Sequence, residues 1–355
     1  MTVTSTPPVM LAFDVEVVGT RRLGPSMVRV TFGGDCLADF GDGGPLGPRD
    51  LRVKLMFAAP GHPLPDLADL SQGWYQQWLA LDSSARGSMR TYTVRAARTA
   101  GPDPQIDVDF VLHDEGGHAG PGSSWAAQAT VGQRLTVIGP RAGAPAYGGI
   151  EWQPPAPVDG RPVQVVLAGD ETALPAIASI LATLPEGYAG HALLEVPSAA
   201  DVLTDVAAGG AAVEVRWLPR VGRPRGHRLR EALAGVLAGT GAGEEPGVGE
   251  EPGAAAPAGA RAMAPAPAPA GRVPELPEVD VDREVLWETP QHGRPEAVGA
   301  TGAANGNAAR DCYAWVAGEA SVVRDLRRLL VHDLGLDRRQ VAFMGYWREG
   351  LAERT

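Results

Sequence analysis

The chain has 355 residues with 44% hydrophobic and 21% charged residues, a length and balance that suit two globular domains rather than one small module or a fibrous chain. Its net charge of −11 gives the wrong long-range field for holding nucleic acid. With only Cys36 and Cys312, far apart, neither a disulfide framework nor a thiolate metal cage can form, so no resident metal is expected.

No stretch reaches the roughly 18 apolar residues of a membrane span, and the start MTVTSTPPVM lacks the regions of a signal peptide. The expectation is a cytoplasmic protein without membrane insertion.

Residues 13–32 hold two alternating runs separated by Gly24 and Pro25, the pattern of an antiparallel hairpin. Further short, turn-bounded strands are predicted at 51–57, 90–97, 105–113 and 133–140, which together suit a small barrel filling residues 1–150. The Pro-rich run EWQPPAPVDGRP, 151–162, reads as a linker.

From 163 the pattern changes to strand and helix in alternation. Strands are predicted at 163–170, 191–196, 213–218, 313–318 and 340–347, and helices at 171–184, near 199–207, at 227–237 and at 320–334. Thr172 is the expected N-cap of the first helix, with Pro175 in its first turn. Such alternation means a parallel sheet covered on both faces. The expected fold class is therefore an antiparallel β-barrel plus an α/β domain over 163–355.

An insertion interrupts the second domain. From Gly239 to Gly271, 29 of 33 residues are Gly, Ala, Pro or Glu, too few apolar groups to offset ordering entropy, so disorder is expected over about 239–275. VDREVLWETP at 281–290 suggests a short ordered return.

No segment fits a GxGxxG fingerprint, a P-loop, HExxH or a GxSxG elbow, so the usual nucleotide and hydrolase signals are missing. The informative segment is Arg90-Thr91-Tyr92-Thr93, where alternation puts Arg90 and Tyr92 on one face and Thr91 and Thr93 on the other. A guanidinium forks onto phosphate oxygens, an aromatic ring covers a planar heterocycle and a hydroxyl bonds a ring nitrogen, which are the groups a flavin dinucleotide needs. Gly120-Pro121-Gly122-Ser123-Ser124-Trp125-Ala126 reads as a helix opening whose free amides favour a pyrophosphate. On these residues alone, an ordinary strand and helix cap remain an equal alternative.

The motifs RTYTVR, DFVLH, GPGSSWA, VGQRLTVIGPRAG, LAGDETALPAI, YAWVAGE and FMGYWREG occur in this order along nearly the whole chain. Together they resemble the siderophore-interacting protein family, a branch of the ferredoxin reductase superfamily. The resemblance implies an FAD-binding barrel, an NAD(P)H-binding α/β domain, and reduction of a ferric siderophore so that Fe(II) is released.

It further implies that Arg90 carries the FAD pyrophosphate, Tyr92 packs on the isoalloxazine and Thr93 approaches flavin N5, making Tyr92 and Thr93 the groups at the reacting ring. Thr91 belongs to the same strand. His113 and the backbone of Phe110, Val111 and Leu112 should line the flavin edge, with Gly120, Pro121, Gly122, Ser123 and Trp125 around the pyrophosphate. Gly122 stands where the family leads one to expect alanine.

In the α/β domain, Gly169, Asp170, Glu171, Thr172 and Ala173 replace a glycine-rich turn and should face NADPH or NADH, with Gly318 and Glu319 at another strand end on the cofactor side. The run Arg216, Arg220, Arg223, Arg225, Arg228 and Arg230 is the densest positive patch. It could hold the 2′-phosphate of NADPH, foremost through Arg220, bind an anionic siderophore, or be a solvated loop. Lys54, the only lysine, and Arg348 are candidate contacts for an anionic ferric chelate, against a reading as surface cations. Trp74, Tyr75 and Trp78 suit a packed lid edge. Two rival functions remain: a flavin reductase of the same fold coupled to a protein such as ferredoxin, and a ferric-siderophore-binding module without turnover.

Overall fold

In the computed structural model, residues 8–66, 74–112, 120–144, 149–158, 160–239, 286–290 and 312–350 are described. The low-complexity insertion and His113 lie outside them. Among the described residues, no helix is long and apolar enough to cross a membrane.

The first half is a closed six-stranded antiparallel barrel in the order β1-β2-β5-β4-β3-β6. Its strands are β1 (Met10–Gly24), β2 (Met27–Gly33), β3 (Arg52–Phe57), β4 (Ser88–Arg98), β5 (Gln105–Val111) and β6 (Arg134–Pro140). The hairpin turn is Pro25-Ser26, between paired Gly24 and Met27. Every second residue points inward, so Val15 and Val17, Val30 and Phe32, Val53 and Leu55, and Leu135 and Val137 fill the barrel. Helix α1 (Trp74–Ala80) lies outside, where Trp78 is fully buried with Met56, Met89 and Ile138, whereas Tyr75 of the same aromatic run is exposed.

The second half is a six-stranded sheet in the order β10-β12-β11-β7-β8-β9. Strands β7 (Val163–Gly169), β8 (Tyr188–Val196), β9 (Ala212–Pro219), β11 (Cys312–Glu319) and β12 (Val341–Trp347) are parallel, and the two-residue β10 (Trp287–Glu288) is an antiparallel edge. Helix α3 (Leu174–Thr183) packs on one face. Helices α4 (His227–Leu237) and α5 (Ala320–Arg327) pack on the other. Strand order reverses between β7 and β11, which makes their C-terminal ends the place where open α/β sheets hold ligands.

Three local expectations fail for identifiable reasons. Helix α3 starts at Leu174 with Ala173 as N-cap, because the Thr172 hydroxyl is already bonded to Asp170. The segment near 199–207 contributes only a 3₁₀ turn, Ala199–Asp201, which presents the Asp201 carboxylate to the Ser26 amide at 2.8 Å and to Ser198. The last expected helix stops at Arg327 and continues as a wider π turn, Arg328–Asp333.

The Pro-rich run is not a free spacer. Trp152 is buried, its ring 5.3 Å from that of Tyr313, and its amide donates to the Asp50 carboxylate of the barrel. Asp50 also accepts from the Glu151 amide at 3.0 Å and from Trp315 Nε1 of β11 at 3.1 Å, so one buried carboxylate fastens barrel, connection and sheet.

Candidate functional site

Strand β4 pairs with β3 so that Arg90 lies opposite Leu55, Thr91 opposite Lys54, Tyr92 opposite Val53 and Thr93 opposite Arg52. Arg90 and Tyr92 thus share the face of the barrel filling, and Thr91 and Thr93 share the outer face, as alternation requires. The β4–β5 ladder runs from Arg98 opposite Gln105 to Val94 opposite Val108 and stops there. Beyond that point Arg90–Thr93 and Phe110–Leu112 are no longer laddered together, a slot in the hydrogen-bonded ladder.

Helix α2 (Pro121–Ala126) closes this end. Its Trp125 ring lies 5.3 Å from Phe57, 5.8 Å from Phe110 and 6.0 Å from Phe32, so Trp125 plugs the barrel mouth rather than presenting its ring to a pyrophosphate. Phe110 is fully buried beneath Tyr92, with ring centroids 4.4 Å apart, leaving only its backbone for a ligand. The Leu112 amide is taken by the Ser26 carbonyl. Gly122 has a definite reason: a methyl there would run into the Tyr92 hydroxyl, which occupies that notch. Ser123 is buried beside it and Gly120 is extended, ahead of Pro121 at the first helical position.

The Arg90 guanidinium is half-buried and, among the described residues, donates only to the Met89 carbonyl, at 2.7 Å. Among the described residues it meets no carboxylate, in a protein with 42 acidic residues. This cation without a carboxylate partner among the described residues, beside an unladdered strand pair and an aromatic ring, fits a flavin dinucleotide. Lys54 Nζ donates to Thr91 Oγ1 at 2.6 Å, on the outer face between the Arg52 and Met56 positions.

The α/β crevice is built differently. Asp170, buried at the end of β7, accepts from the Thr172 amide (2.9 Å) and hydroxyl (2.5 Å), the Glu319 amide (2.8 Å) and Trp347 Nε1 (3.0 Å). Burial and the neighbouring Glu171 charge push its carboxyl up. Glu171 is 2% exposed and receives Arg220 at 2.7 and 3.1 Å and Arg225 at 2.6 Å. Burial alone would raise the Glu171 carboxyl, but the Arg220 hydrogen bonds and the charges of both guanidiniums outweigh it and hold it below the ordinary range. Arg225 also stacks on the Trp347 ring at 4.6 Å. Ala173 and Gly169 are tightly packed, since a methyl on Gly169 would meet the Ala173 side chain.

These contacts correct the expected roles of several residues. Arg220 is not part of an exposed patch but is 8% exposed and consumed by Glu171, while Arg216 pairs with Glu214 at 2.9 Å. Glu319 caps α5, accepting from the amides of Ser321 and Val322, so its carboxylate is spent within the chain. Gly318 has φ +147°, and a methyl there would lie 2.8 Å from the Asp170 carboxyl. Arg348 follows β12, its Nε buried without a hydrogen-bond partner among the described residues.

Two residues without any local signal complete the seam between barrel and sheet. Asp50 belongs to no motif, and burial pushes its carboxyl up despite the bonds from Trp152, Trp315 and Glu151. Tyr346 lies within FMGYWREG, but nothing in that string says that its ring would pack beside Trp287 and Trp315.

A closed antiparallel barrel with this slot, followed by a doubly wound sheet, is the ferredoxin reductase-like arrangement of an FAD-binding protein. The profile of the siderophore-interacting FAD-binding domain matches residues 16–144, and that of the siderophore-interacting protein matches residues 162–350. The chain belongs to the siderophore-interacting protein family.

An uncharacterised protein of Mycobacterium tuberculosis strain H37Rv is 37% identical over 214 residues, which are 59% of this chain and 65% of that one. The ferric vibriobactin reductase ViuB of Vibrio cholerae is 28% identical over 187 residues, 53% of this chain and 59% of ViuB. The matches thus span less than two thirds of these relatives. The crystal structure of a siderophore utilization protein from T. fusca superposes with TM-score 0.56 and 25% identity, covering 98% of this chain and 97% of the other.

Proposed function

We propose that the protein is a ferric-siderophore reductase that passes electrons from NAD(P)H through FAD to chelated Fe(III), with residues 1–150 as the FAD unit and 163–355 as the donor unit. The observation that carries this reading is the Arg90 guanidinium beside Tyr92 at the β4–β5 slot, without a carboxylate partner among the described residues. The resemblance to ViuB, named as a ferric vibriobactin reductase, favours the same class of substrate.

Arg90 would hold the pyrophosphate with the amides of Gly120 to Ser123, Tyr92 would cover the ring, and Thr93 would face its reacting edge. His113 and the backbone of Phe110 to Leu112 would border it. Bound FAD would supply the exchange between a two-electron donor and one-electron acceptors. The balance is one NAD(P)H and two Fe(III) giving NAD(P)⁺, a proton and two Fe(II). Gly169 to Ala173 would border the donor, and Lys54 and Arg348 would attract an anionic chelate in an acidic protein.

The test is the visible spectrum of the purified protein supplied with FAD, followed anaerobically. Bleaching by NADPH or NADH, then recovery on adding a ferric catecholate with a ferrous chelator present to trap Fe(II), is the expected sequence. A protein that takes up no flavin would refute the reading. Flavin that bleaches only with reduced ferredoxin would move the donor to a protein, and flavin that never reoxidises with the chelate would leave a binding module.

A further inference from the structure

The hydroxyl of Tyr346 is buried and has no hydrogen-bond partner among the described residues, although a phenol inside a protein nearly always finds one. Burial pushes that hydroxyl well above its ordinary titration range, so it stays a neutral donor.

Its surroundings explain why it stands there. Tyr346 is on β12, one strand from Trp315 of β11. Its ring is stacked on Trp287 at 6.0 Å and 16°, and set edge-on to Trp315 at 6.2 Å. Arg52 of the barrel lies over the Trp287 ring, 4.1 Å from its centre, and is tied to Glu151 at 2.6 Å. Arg52 is the register partner of Thr93. The aromatic stack therefore places the phenol of one structural half against the outer face of the other, with its oxygen beside the Thr93 side chain and in hydrogen-bonding geometry with no described residue.

Nothing about the packing obliges a hydroxyl here. Phenylalanine would keep both ring contacts and spare the desolvation of an unpaired donor. A donor kept at such a position, next to the hydroxyl read as facing the flavin, is accounted for by an acceptor that is supplied by a ligand.

We propose that Tyr346 is a positioning residue for the flavin, donating its hydroxyl from the α/β side to the acceptor-bearing edge of the ring that Thr93 meets from the barrel side. The proposal rests on the FAD reading above. It goes beyond it by making the cofactor site a joint product of both halves of the chain, with Trp287 and Arg52 holding the phenol in place. The residues that carry FAD would then not all lie in the barrel.

The test compares wild-type holoprotein with Tyr346→Phe, which removes one oxygen and keeps the stack. Two quantities are read: the FAD dissociation constant, from the fluorescence of flavin released on dilution, and the shape of the bound flavin's visible band. The expected result is FAD held about three- to tenfold more weakly, the worth of one neutral hydrogen bond, with a shifted band. Thr93→Val should act on the same two readouts. The double variant should lose less than the product of the single losses, since both hydroxyls address one ring.

An unchanged dissociation constant and an unchanged band in Tyr346→Phe would overturn the proposal, leaving the hydroxyl a passenger of the stack. Strictly multiplicative losses in the double variant would overturn the shared ring. Should Tyr346→Phe give no soluble protein, Thr93→Val and Trp287→Phe, which loosens the stack, carry the same readouts, and no change in either would overturn it equally. Failure of the FAD reading itself is seen separately, in wild-type protein that binds no flavin.

Discussion

The two halves of the molecule treat their arginines in opposite ways. In the barrel, Arg90 sits half-buried at the slot and, among the described residues, bonds only a backbone carbonyl. In the α/β half, Arg220 and Arg225 converge on Glu171, and the amides of Thr172 and Glu319 converge on Asp170, so the crevice is satisfied from within. A site waiting for an anion leaves its cation unmatched, whereas a site that must keep its shape between visits matches every charge. The first arrangement puts binding energy at the disposal of a ligand, and the second puts it into stability.

Glu171→Gln should break this contrast most severely. It leaves two guanidiniums, each about 10% exposed, without their carboxylate, and loss of one partner of a buried pair ordinarily costs about 3–5 kcal/mol. Thermal unfolding should show the loss. The same variant gives the sign of a pH effect. The folded Glu171 carboxyl is held below its ordinary range, so its stabilisation is complete above the unfolded carboxyl's titration and is lost as pH falls through the depressed folded value. The gap in melting temperature between wild type and variant should be widest near neutrality and close in acid. A gap independent of pH would contradict the ion-pair account.

Arg90→Ala should do the reverse, leaving the melting temperature of flavin-free protein nearly unchanged while weakening FAD about ten- to a hundredfold. That range is the worth of a charge-assisted contact of about 1.5–3 kcal/mol. Equal losses of stability and affinity would place Arg90 in the same class as Arg220.

Gly318→Ala sharpens the crevice side. A methyl at φ +147° and 2.8 Å from the Asp170 carboxyl forces either the backbone or that carboxylate to move, at a cost of about 1–3 kcal/mol. FAD affinity should change only as far as the shift reaches Tyr346 through Trp347, which donates to Asp170. Coupled loss of flavin would show that the two halves share more than the seam.

The smallest expected effect is that of Lys54→Ala with Arg348→Ala. The double variant should raise KM for an anionic ferric chelate about two- to fivefold, in keeping with the modest worth of partly exposed charges. Added salt should narrow the difference because such charges are screened over about 8 Å. An unchanged KM would leave both as ordinary cations.

The faces of β4 were legible in the sequence because the signal was local. Arg90, Tyr92 and Thr93 follow from alternation along one strand, and the structure keeps Arg90 and Tyr92 on one face. The run of arginines after Trp217 misled because charge in a string carries no partner: Glu171 lies 49 positions before Arg220. Asp50 and Trp315 are 265 positions apart, and no pattern of period two or 3.6 could join them.

The sequence by itself determined the barrel-then-sheet order, because period-two alternation and the strand–helix rhythm are set by which residues can face a core. It also determined Gly122 as a position of interest, although not why glycine is needed. Tertiary structure alone decided that Tyr92 fills the space a methyl would take, that Glu171 silences Arg220, and that Tyr346 reaches the outer face of β4 beside Thr93. Each of these depends on atoms brought together by chain closure over tens to hundreds of residues. Such proximity is settled by the sum of many packing contacts and is not written at any one position.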